Sequence, residues 1–247
     1  MAYDTGRVFA TGLAYLIIYY ITQPGPANKL MLTYGNITLS LAKIIQVEPT
    51  TPMIALTWMI GSRCNYDCMY CPSELHDKTS RHPDLKKLKT AWQSFYQKTK
   101  NQQLPYKISF TGGEVTANKS FLPLIEYLTN GEFDIGQLIV TTNGSASLTY
   151  YKKLALLVDA ISFSTHSEFI EEKTFFDKVS TINSIMIRPA KSFHLNIMDE
   201  FWNQDRIELY KAWCIKHNIS HAINIINYEQ GTRTYPIMQG TYNLEQV

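Results

Sequence analysis

The chain of 247 residues has few cysteines and little net charge. Each of these features excludes a class of site or partner. It has four cysteines, and only Cys214 follows Cys71, so no second site of four cysteines can be built. Cys214 lies at helical spacing from Ile207 and Tyr210, which predicts a buried core residue. A net charge of +2 gives no electrostatic footprint for nucleic acid, and none is expected as a partner.

The sequence also lacks a convincing membrane-spanning or secretory segment. The apolar run 8–21 is shorter than the about 20 residues a spanning helix requires, and Pro24 and Pro26 follow it. Asp4, before the run, argues against a signal peptide. We predict a strand or helix packed on the domain, with membrane association through residues 8–21 as the alternative. Met31 is a second candidate for the start of the chain, and a reducing, cytoplasmic location is expected.

Strand-like and helix-like segments alternate through most of the chain. Six strands are predicted, at 56–60, 106–110, 137–142, 160–165, 193–198 and 221–227. Helices are predicted from Asp84, from about Asn118 to Leu128, from Ser147, over 173–187 and around 205–217. This alternation indicates a parallel sheet with right-handed crossovers, and six units are too few for a closed eight-unit barrel.

The predicted fold is therefore α/β, a partial (β/α)6 TIM-like barrel over residues 51–228. An N-terminal extension over 1–50 precedes it, and a tail over 229–247 follows it. Gly35-Asn36 predicts a hairpin turn between two short strands of the extension. Because a six-stranded sheet leaves exposed edges, we expect the residues before Pro52 to shield the open barrel or its entrance.

Three cysteines lie close together in the loop after the first predicted strand. Cys64, Cys68 and Cys71 have the spacing C-x3-C-x2-C, and Tyr70 precedes the last of them. Thiolates bind zinc or an iron–sulfur cluster in preference to hard cations. An iron–sulfur cube takes four ligands, so three cysteines leave one iron open. A Cys3His zinc site with His76 is the alternative, and the tight spacing fits a metal better than a disulfide.

Two further motifs follow the second and third predicted strands. Gly112 and Gly113 allow a ligand to approach the backbone closely, and Glu114 can accept hydrogen bonds from a cation. An ordinary strand-to-helix turn, with Glu114 in the first helical turn, is the alternative. Asn143 ends the third strand, where an ordinary Asn-Gly turn is equally consistent with the sequence.

The fourth and fifth predicted strands carry polar side chains where a covered parallel sheet is normally apolar. Ser162 and Ser164 share one face, which predicts that this face lines a polar cavity. Asn196 lies within the fifth strand, where a buried amide needs partners, and His194 shares its face. His166, just after the fourth strand, is interpreted as a solvated loop residue in preference to a substrate contact.

The sequence CNYDCMYC, with Gly-Gly-Glu at the end of the next strand, resembles the signature of the radical S-adenosylmethionine (SAM) superfamily. The resemblance covers residues 54–228 and implies a [4Fe-4S] cluster held by Cys64, Cys68 and Cys71. It implies that the open iron binds SAM through its amino and carboxylate groups. Reduction would then cleave SAM to methionine and a 5′-deoxyadenosyl radical, which abstracts hydrogen from a substrate.

The resemblance also implies the residues around the cofactor and the partners of the reaction. The implied SAM-binding residues are Tyr70, Gly112, Gly113, Glu114, Asn143, Ser164 and Asn196, with the Gly-Gly-Glu motif holding the methionine ammonium. A small molecule, a natural-product precursor or a peptide is the expected substrate. A flavodoxin or ferredoxin is the expected electron donor. The alternatives are an activase that forms a glycyl radical on a partner enzyme, a non-catalytic relative, and a zinc-binding structural or interaction module.

Overall fold

The computed structural model describes residues 16–20, 32–34, 37–39, 52–71, 76–188 and 190–226, and a parallel β-sheet forms its centre. Strand β1 (Leu16–Tyr20) is followed by a separate antiparallel pair, β2 (Leu32–Tyr34) and β3 (Ile37–Leu39). Six parallel strands then succeed one another: β4 (Ile54–Met59), β5 (Tyr106–Thr111), β6 (Ile135–Thr142), β7 (Ala160–Thr165), β8 (Ser192–Asp199) and β9 (His221–Ile225).

One helix lies between each two consecutive parallel strands. These helices are α1 (Leu85–Thr99), α2 (Phe121–Asn130), α3 (Leu148–Leu157), α4 (Glu172–Met186) and α5 (Gln204–Lys216). The sheet order is β1-β4-β5-β6-β7-β8-β9, so within the described residues it is open, with β1 and β9 at its edges. The predicted α/β alternation with six parallel strands is confirmed and is consistent with a partial TIM-like barrel.

Strand β1 shows how part of the predicted extension contacts the core. It pairs antiparallel with β4, and Leu16 lies opposite Trp58. This confirms a strand packed on the domain within residues 8–21, and the strand covers one edge of the parallel sheet. In the separate hairpin Tyr34 pairs with Ile37, while the predicted turn at 35–36 and the predicted tail lie outside the described residues. Across the described part of the chain, no helix combines the length and hydrophobicity needed to cross a membrane.

The two faces of the sheet differ because side chains alternate along each strand. On one face Trp58 stacks with Trp92 of α1 at 6.3 Å, and Phe110 meets Phe121 of α2 edge to face at 5.2 Å. The strand register aligns Thr141, Ser162 and His194 across β6, β7 and β8. These three side chains are partly or largely exposed. The helix-covered face is therefore apolar, and the opposite face carries a row of accessible polar groups.

Local side-chain hydrogen bonds decide where the helices begin. Asp84 and Ser147 cap α1 and α3 as predicted, because their side chains accept backbone N–H groups at 2.8 Å and 3.2 Å. The helix predicted from Asn118 begins later, at Phe121. The side chain of Asn118 accepts the N–H of Ser120 at 2.8 Å, which favours an extended residue over a helical one.

The spare cysteine is part of the hydrophobic core, as predicted. Cys214 is fully buried with Ile207 and Tyr210 on the inner face of α5. Burial raises the pKa of its thiol to about 11, so the group is uncharged at neutral pH. Cys214 therefore acts as a small apolar side chain, distant in role from the cysteine motif.

Candidate functional site

The cysteine loop, residues 61–71, begins in direct contact with the end of β5. Gly113 donates its N–H to the Gly61 carbonyl oxygen at 2.8 Å, and Glu114 donates to the Arg63 carbonyl oxygen at 3.0 Å. A Cβ atom on Gly112 or Gly113 would lie 2.3 Å from one of these carbonyl oxygens, and Gly112 has a φ of +135°. The two glycines are required because the loop backbone itself approaches them this closely.

Asp77 closes the start of the cysteine loop from its other side. The Cys64 N–H donates to the Asp77 carbonyl oxygen at 2.8 Å, and the Ser62 hydroxyl donates to the Asp77 carboxylate at 2.6 Å. Hydrogen bonds from Ser62 and Ser80 lower the pKa of Asp77, so it stays ionised. The first cysteine is thus held by fixed backbone contacts on both sides.

Glu114 is a buried anchor between the ends of β5 and β6. Its Oε1 accepts the N–H and hydroxyl of Thr116 at 2.9 Å and 2.6 Å, and the hydroxyl of Thr142 at 2.6 Å. Its Oε2 accepts the Asn143 N–H at 2.7 Å. Burial raises the pKa of Glu114 against the effect of these hydrogen bonds. The side chain caps the 3₁₀ turn Val115–Ala117 and does not lie within the first turn of α2.

Asn143 connects this anchor to the first cysteine. Its Nδ2 donates to Asn65 Oδ1 at 3.0 Å and lies 3.9 Å from Cys64 Sγ, while its Oδ1 accepts the Ser145 N–H at 2.9 Å. The structure thus brings together three sets of predicted site residues: the first cysteine, the Gly-Gly-Glu motif and the end of the third parallel strand. Asn143 is more than a turn residue, because its amide spans from β6 to the cysteine loop.

Ser164 and Asn196 form a second group of predicted cofactor residues. They are paired in the strand register, and Asn196 Nδ2 lies 3.4 Å from Ser164 Oγ. Ser164 is buried and Asn196 partly exposed. Their contact satisfies part of the hydrogen-bonding capacity of the Asn196 amide. The pair occupies the carboxyl-terminal part of β7 and β8, where parallel sheets of this class bind ligands.

Cys68 and Tyr70 face the ends of β7 and β8. His166 Nδ1 lies 3.4 Å from Cys68 Sγ and 2.6 Å from the Tyr70 hydroxyl, which in turn lies 3.2 Å from Glu200 Oε1. Tyr70 is buried, and desolvation raises the pKa of its hydroxyl. Burial lowers the pKa of His166 to about 4, so the ring is neutral at pH 7. His166 is therefore more than a solvated loop residue, because its partly buried ring contacts Cys68 and Tyr70 of the cysteine loop.

Sequence reasoning missed Glu200 and Thr142, although both lie at informative positions. Glu200 directly follows β8 and accepts the Ser167 N–H at 3.1 Å, with the Ser167 hydroxyl on its other oxygen. Burial raises the pKa of Glu200. Thr142 ends β6 and donates to Glu114. The signal that could have identified them is a polar residue at the carboxyl end of a parallel strand.

The electrostatics of the three motif cysteines fit a cationic centre. Burial is the largest cause that raises the pKa of Cys68, and the negative charges of Glu168, Cys64 and Cys71 raise it further. Burial also raises the pKa of Cys64. The thiolates are close enough to repel one another, and a metal centre that binds them as thiolates would offset that cost. Among the described residues, no three His, Cys, Asp or Glu side chains converge as a preformed site for one metal ion.

His76, the fourth ligand in the zinc alternative, has another role. Its ring is buried, and Nε2 lies 2.9 Å from the Tyr66 carbonyl oxygen and 3.4 Å from Asp67 Oδ1. This nitrogen supports the backbone of the cysteine loop between the first two cysteines. Binding zinc through Nε2 would require the ring to give up that contact, whereas the buried Nδ1 has no hydrogen-bond partner within the described residues.

Comparison with known proteins gives a short match to one kind of enzyme. No protein-family model matches the chain. GTP 3′,8-cyclases of Haemophilus influenzae strains PittGG and Rd are each 35% identical to it over 88 residues, which is 34% of this chain. The same holds for the strain PittEE protein. The similarity supports the radical SAM resemblance. The matched part spans 24% of the length of these curated relatives.

We expect Glu114→Gln to destabilise the site while leaving the fold intact. The two carboxylate oxygens of Glu114 accept hydrogen bonds from Thr116, Thr142 and Asn143. In the variant an amide NH2 replaces one of these oxygens, so a buried hydrogen-bond donor faces another donor. The free energy of unfolding should fall by about 1–3 kcal/mol. Urea unfolding monitored by circular dichroism measures it, with exposed Glu126→Gln on α2 as the matched control. Equal stability of the two variants would contradict the anchoring role.

Proposed function

We propose that this protein is a radical SAM enzyme with a single [4Fe-4S] cluster bound by Cys64, Cys68 and Cys71. The observation that carries the proposal is the contact between two separate motifs. The cysteine loop is hydrogen-bonded directly to Gly113 and Glu114, and neither glycine has room for a side chain. The similarity to GTP 3′,8-cyclases supports an enzyme of this superfamily.

When bound, the reduced cluster would supply the electron that cleaves SAM and so generates the hydrogen-abstracting radical. The residues of the chain bind the cluster and the cofactor and orient them. Gly112 and Gly113 fix the cysteine loop beside the Glu114 anchor, and Asn143 holds the first cysteine. Ser164 and Asn196 offer hydroxyl and amide groups toward the cofactor at the neighbouring strand ends. Tyr70, near the end of the loop, donates its hydroxyl to Glu200 after β8.

A small molecule or natural-product precursor is proposed as the substrate. The face of the sheet opposite the helices carries the accessible row Thr141, Ser162 and His194. Hydroxyl and imidazole groups on this accessible face can orient a polar substrate over the sheet. The matched relatives are named as cyclases of GTP. GTP is therefore one candidate substrate to test directly.

An acidic electron carrier of the flavodoxin or ferredoxin kind is proposed as the partner. A cleft of about 650 Å³ opens beside Cys64, and its lining includes Arg63, Lys78 and Lys119. These three residues are exposed, although Lys78 also lies 3.5 Å from Asp67. Positive charge beside a cluster ligand would attract a negatively charged carrier to the point where the electron enters.

Anaerobic reconstitution with iron and sulfide tests the proposed function. We expect about four irons and no stoichiometric zinc per chain, a count that follows from a cubane cluster. Incubation with SAM and dithionite should then yield 5′-deoxyadenosine, detected by liquid chromatography. One zinc per chain, a colourless protein and intact SAM would instead identify a structural zinc module.

A further inference from the structure

A chain of hydrogen bonds joins the second motif cysteine to the ends of β7 and β8. It leads from Cys68 Sγ to His166 Nδ1 at 3.4 Å, and from Nδ1 to the Tyr70 hydroxyl at 2.6 Å. From that hydroxyl it continues to Glu200 Oε1 at 3.2 Å. Cys68, Tyr70 and Glu200 are all buried. Two parallel strands thus support the cysteine loop through side chains that the radical SAM motifs do not include.

The number of available hydrogens decides the direction of each contact. Ser167 donates its N–H and its hydroxyl to the Glu200 carboxylate, and the Tyr70 hydroxyl donates to Glu200 Oε1 at 3.2 Å. The single hydroxyl hydrogen of Tyr70 is therefore directed to Glu200. His166 must then be the donor in its contact with the Tyr70 hydroxyl. The imidazole proton is therefore on Nδ1. The same Nδ1–H faces the sulfur of Cys68.

Aromatic rings enclose this hydrogen-bond chain. Tyr66 meets the His166 ring edge to face at 5.9 Å and stacks on Phe169 at 4.8 Å. Trp202 lies against Tyr70 at 6.2 Å. Phe169 itself is exposed, but Cys68 and Tyr70 are buried beside these rings. The N–H group directed at the Cys68 sulfur therefore acts among buried groups, where the local dielectric is lower than in water and its electrostatic effect is larger.

We propose that His166 is a positioning residue that holds Cys68 in place and raises the reduction potential of the cluster by directing its Nδ1–H at the cysteine sulfur. This inference rests on the proposed function, because it concerns the cluster that Cys68 would ligate. Hydrogen bonds to ligand sulfurs and solvent exposure are two of the factors that set the potential of iron–sulfur clusters. A donor at the sulfur favours the reduced state, since reduction adds negative charge to the cluster and its thiolates.

Replacing His166 tests the effect on the cluster itself. His166→Leu removes the N–H and keeps an apolar side chain, and His166→Asn restores an amide donor. At a fixed applied potential we expect the ratio of reduced to oxidised cluster to fall about tenfold in His166→Leu, equivalent to about 59 mV for a one-electron couple. It should recover in His166→Asn. Potentiometric titration monitored by electron paramagnetic resonance measures this ratio.

Two further variants test whether the ratio of reduced to oxidised cluster changes in the expected direction. Tyr70→Phe frees the Nδ1–H for Cys68 alone, so the ratio of reduced to oxidised cluster should rise instead of falling. The control is His217→Leu, because His217 is exposed after α5 and stacks on Trp213. It should leave the ratio unchanged. An unchanged ratio in His166→Leu at equal iron content, or a fall in Tyr70→Phe, would overturn the proposal.

A double-variant cycle in the metal-free protein tests the hydrogen-bond chain without any cluster. If His166 and Tyr70 share one hydrogen bond, the effects of His166→Leu and Tyr70→Phe on the folded-to-unfolded ratio should be less than additive in free energy when the two are combined. Additive effects would overturn the chain. Failure of the wild-type protein to bind iron would refute the proposed function, and with it the effect on potential, while this cycle would still report on the His166–Tyr70 contact.

Discussion

Replacing Cys68 with alanine is expected to abolish iron binding, whereas replacing Cys214 is not. Cys68 lies between the other two motif cysteines in sequence, and their charges act on its thiol. Two remaining cysteines cannot hold a cluster that needs three protein thiolates and one open iron. We expect the iron content after reconstitution to fall from about four per chain to below about one, with loss of the brown absorbance.

Cys214→Ala is the matched control for this experiment. It also removes one buried thiol, which lies in the hydrophobic core on the inner face of α5. Its expected cost is about 1 kcal/mol of unfolding free energy, because a small apolar group is lost. Its iron content should equal that of the wild type. A Cys68→Ala protein with full iron, or a Cys214→Ala protein without it, would show that the cysteine motif is not the cluster site.

Gly113→Ala is expected to disrupt the cysteine loop severely. The new Cβ would lie 2.3 Å from the Arg63 carbonyl oxygen and 2.4 Å from that of Ser62. Both obstacles are backbone atoms of the loop, so relief requires the loop to move away from β5. The hydrogen bond from Glu114 to Arg63 at 3.0 Å would then be lost. We expect a loss of about 3 kcal/mol, the upper end for overpacking.

Two measurements compare this variant with one at Gly136, a glycine of β6. Urea unfolding gives the stability, and iron retention during dialysis against a chelator gives the effect on the loop. Gly136→Ala is the control, because its new Cβ would meet only side chains, with Pro105 nearest at 3.1 Å and the flexible Met53 at 3.5 Å. If both variants had the same free energy of unfolding and retained the same iron content, the prediction that the close packing of the two motifs stabilises the cysteine loop would be wrong.

Local patterns in the sequence account for most of the fold. The strand ends were predictable where an apolar, alternating run stops at a polar loop, as at Thr142 and Thr165. Helix starts were predictable at Asp84 and Ser147, since capping uses side chains within three residues. The start of α2 was not, because the conformation of Asn118 also depends on its hydrogen bond to Pro83, a residue of another segment.

The site was predictable only as separate motifs. The cysteine spacing, the Gly-Gly-Glu sequence and the polar strand residues are each visible in the chain. Their arrangement in space is not visible in the sequence, because it depends on contacts between segments far apart in the chain. The close approach of Gly113 to Arg63, and of Asn143 to Cys64, exists only once β4, β5 and β6 lie side by side.

By itself the sequence determined the class of metal ligand, the alternating α/β architecture and the core position of Cys214. Thiolate chemistry and side-chain periodicity are properties of residue type and spacing, so they need no tertiary structure. The tertiary structure alone decided that Glu114 is a buried anchor and that His166 and Glu200 contact Tyr70 of the cysteine loop. Burial and hydrogen-bond partners are set by which strand ends become neighbours, and only the folded sheet establishes that.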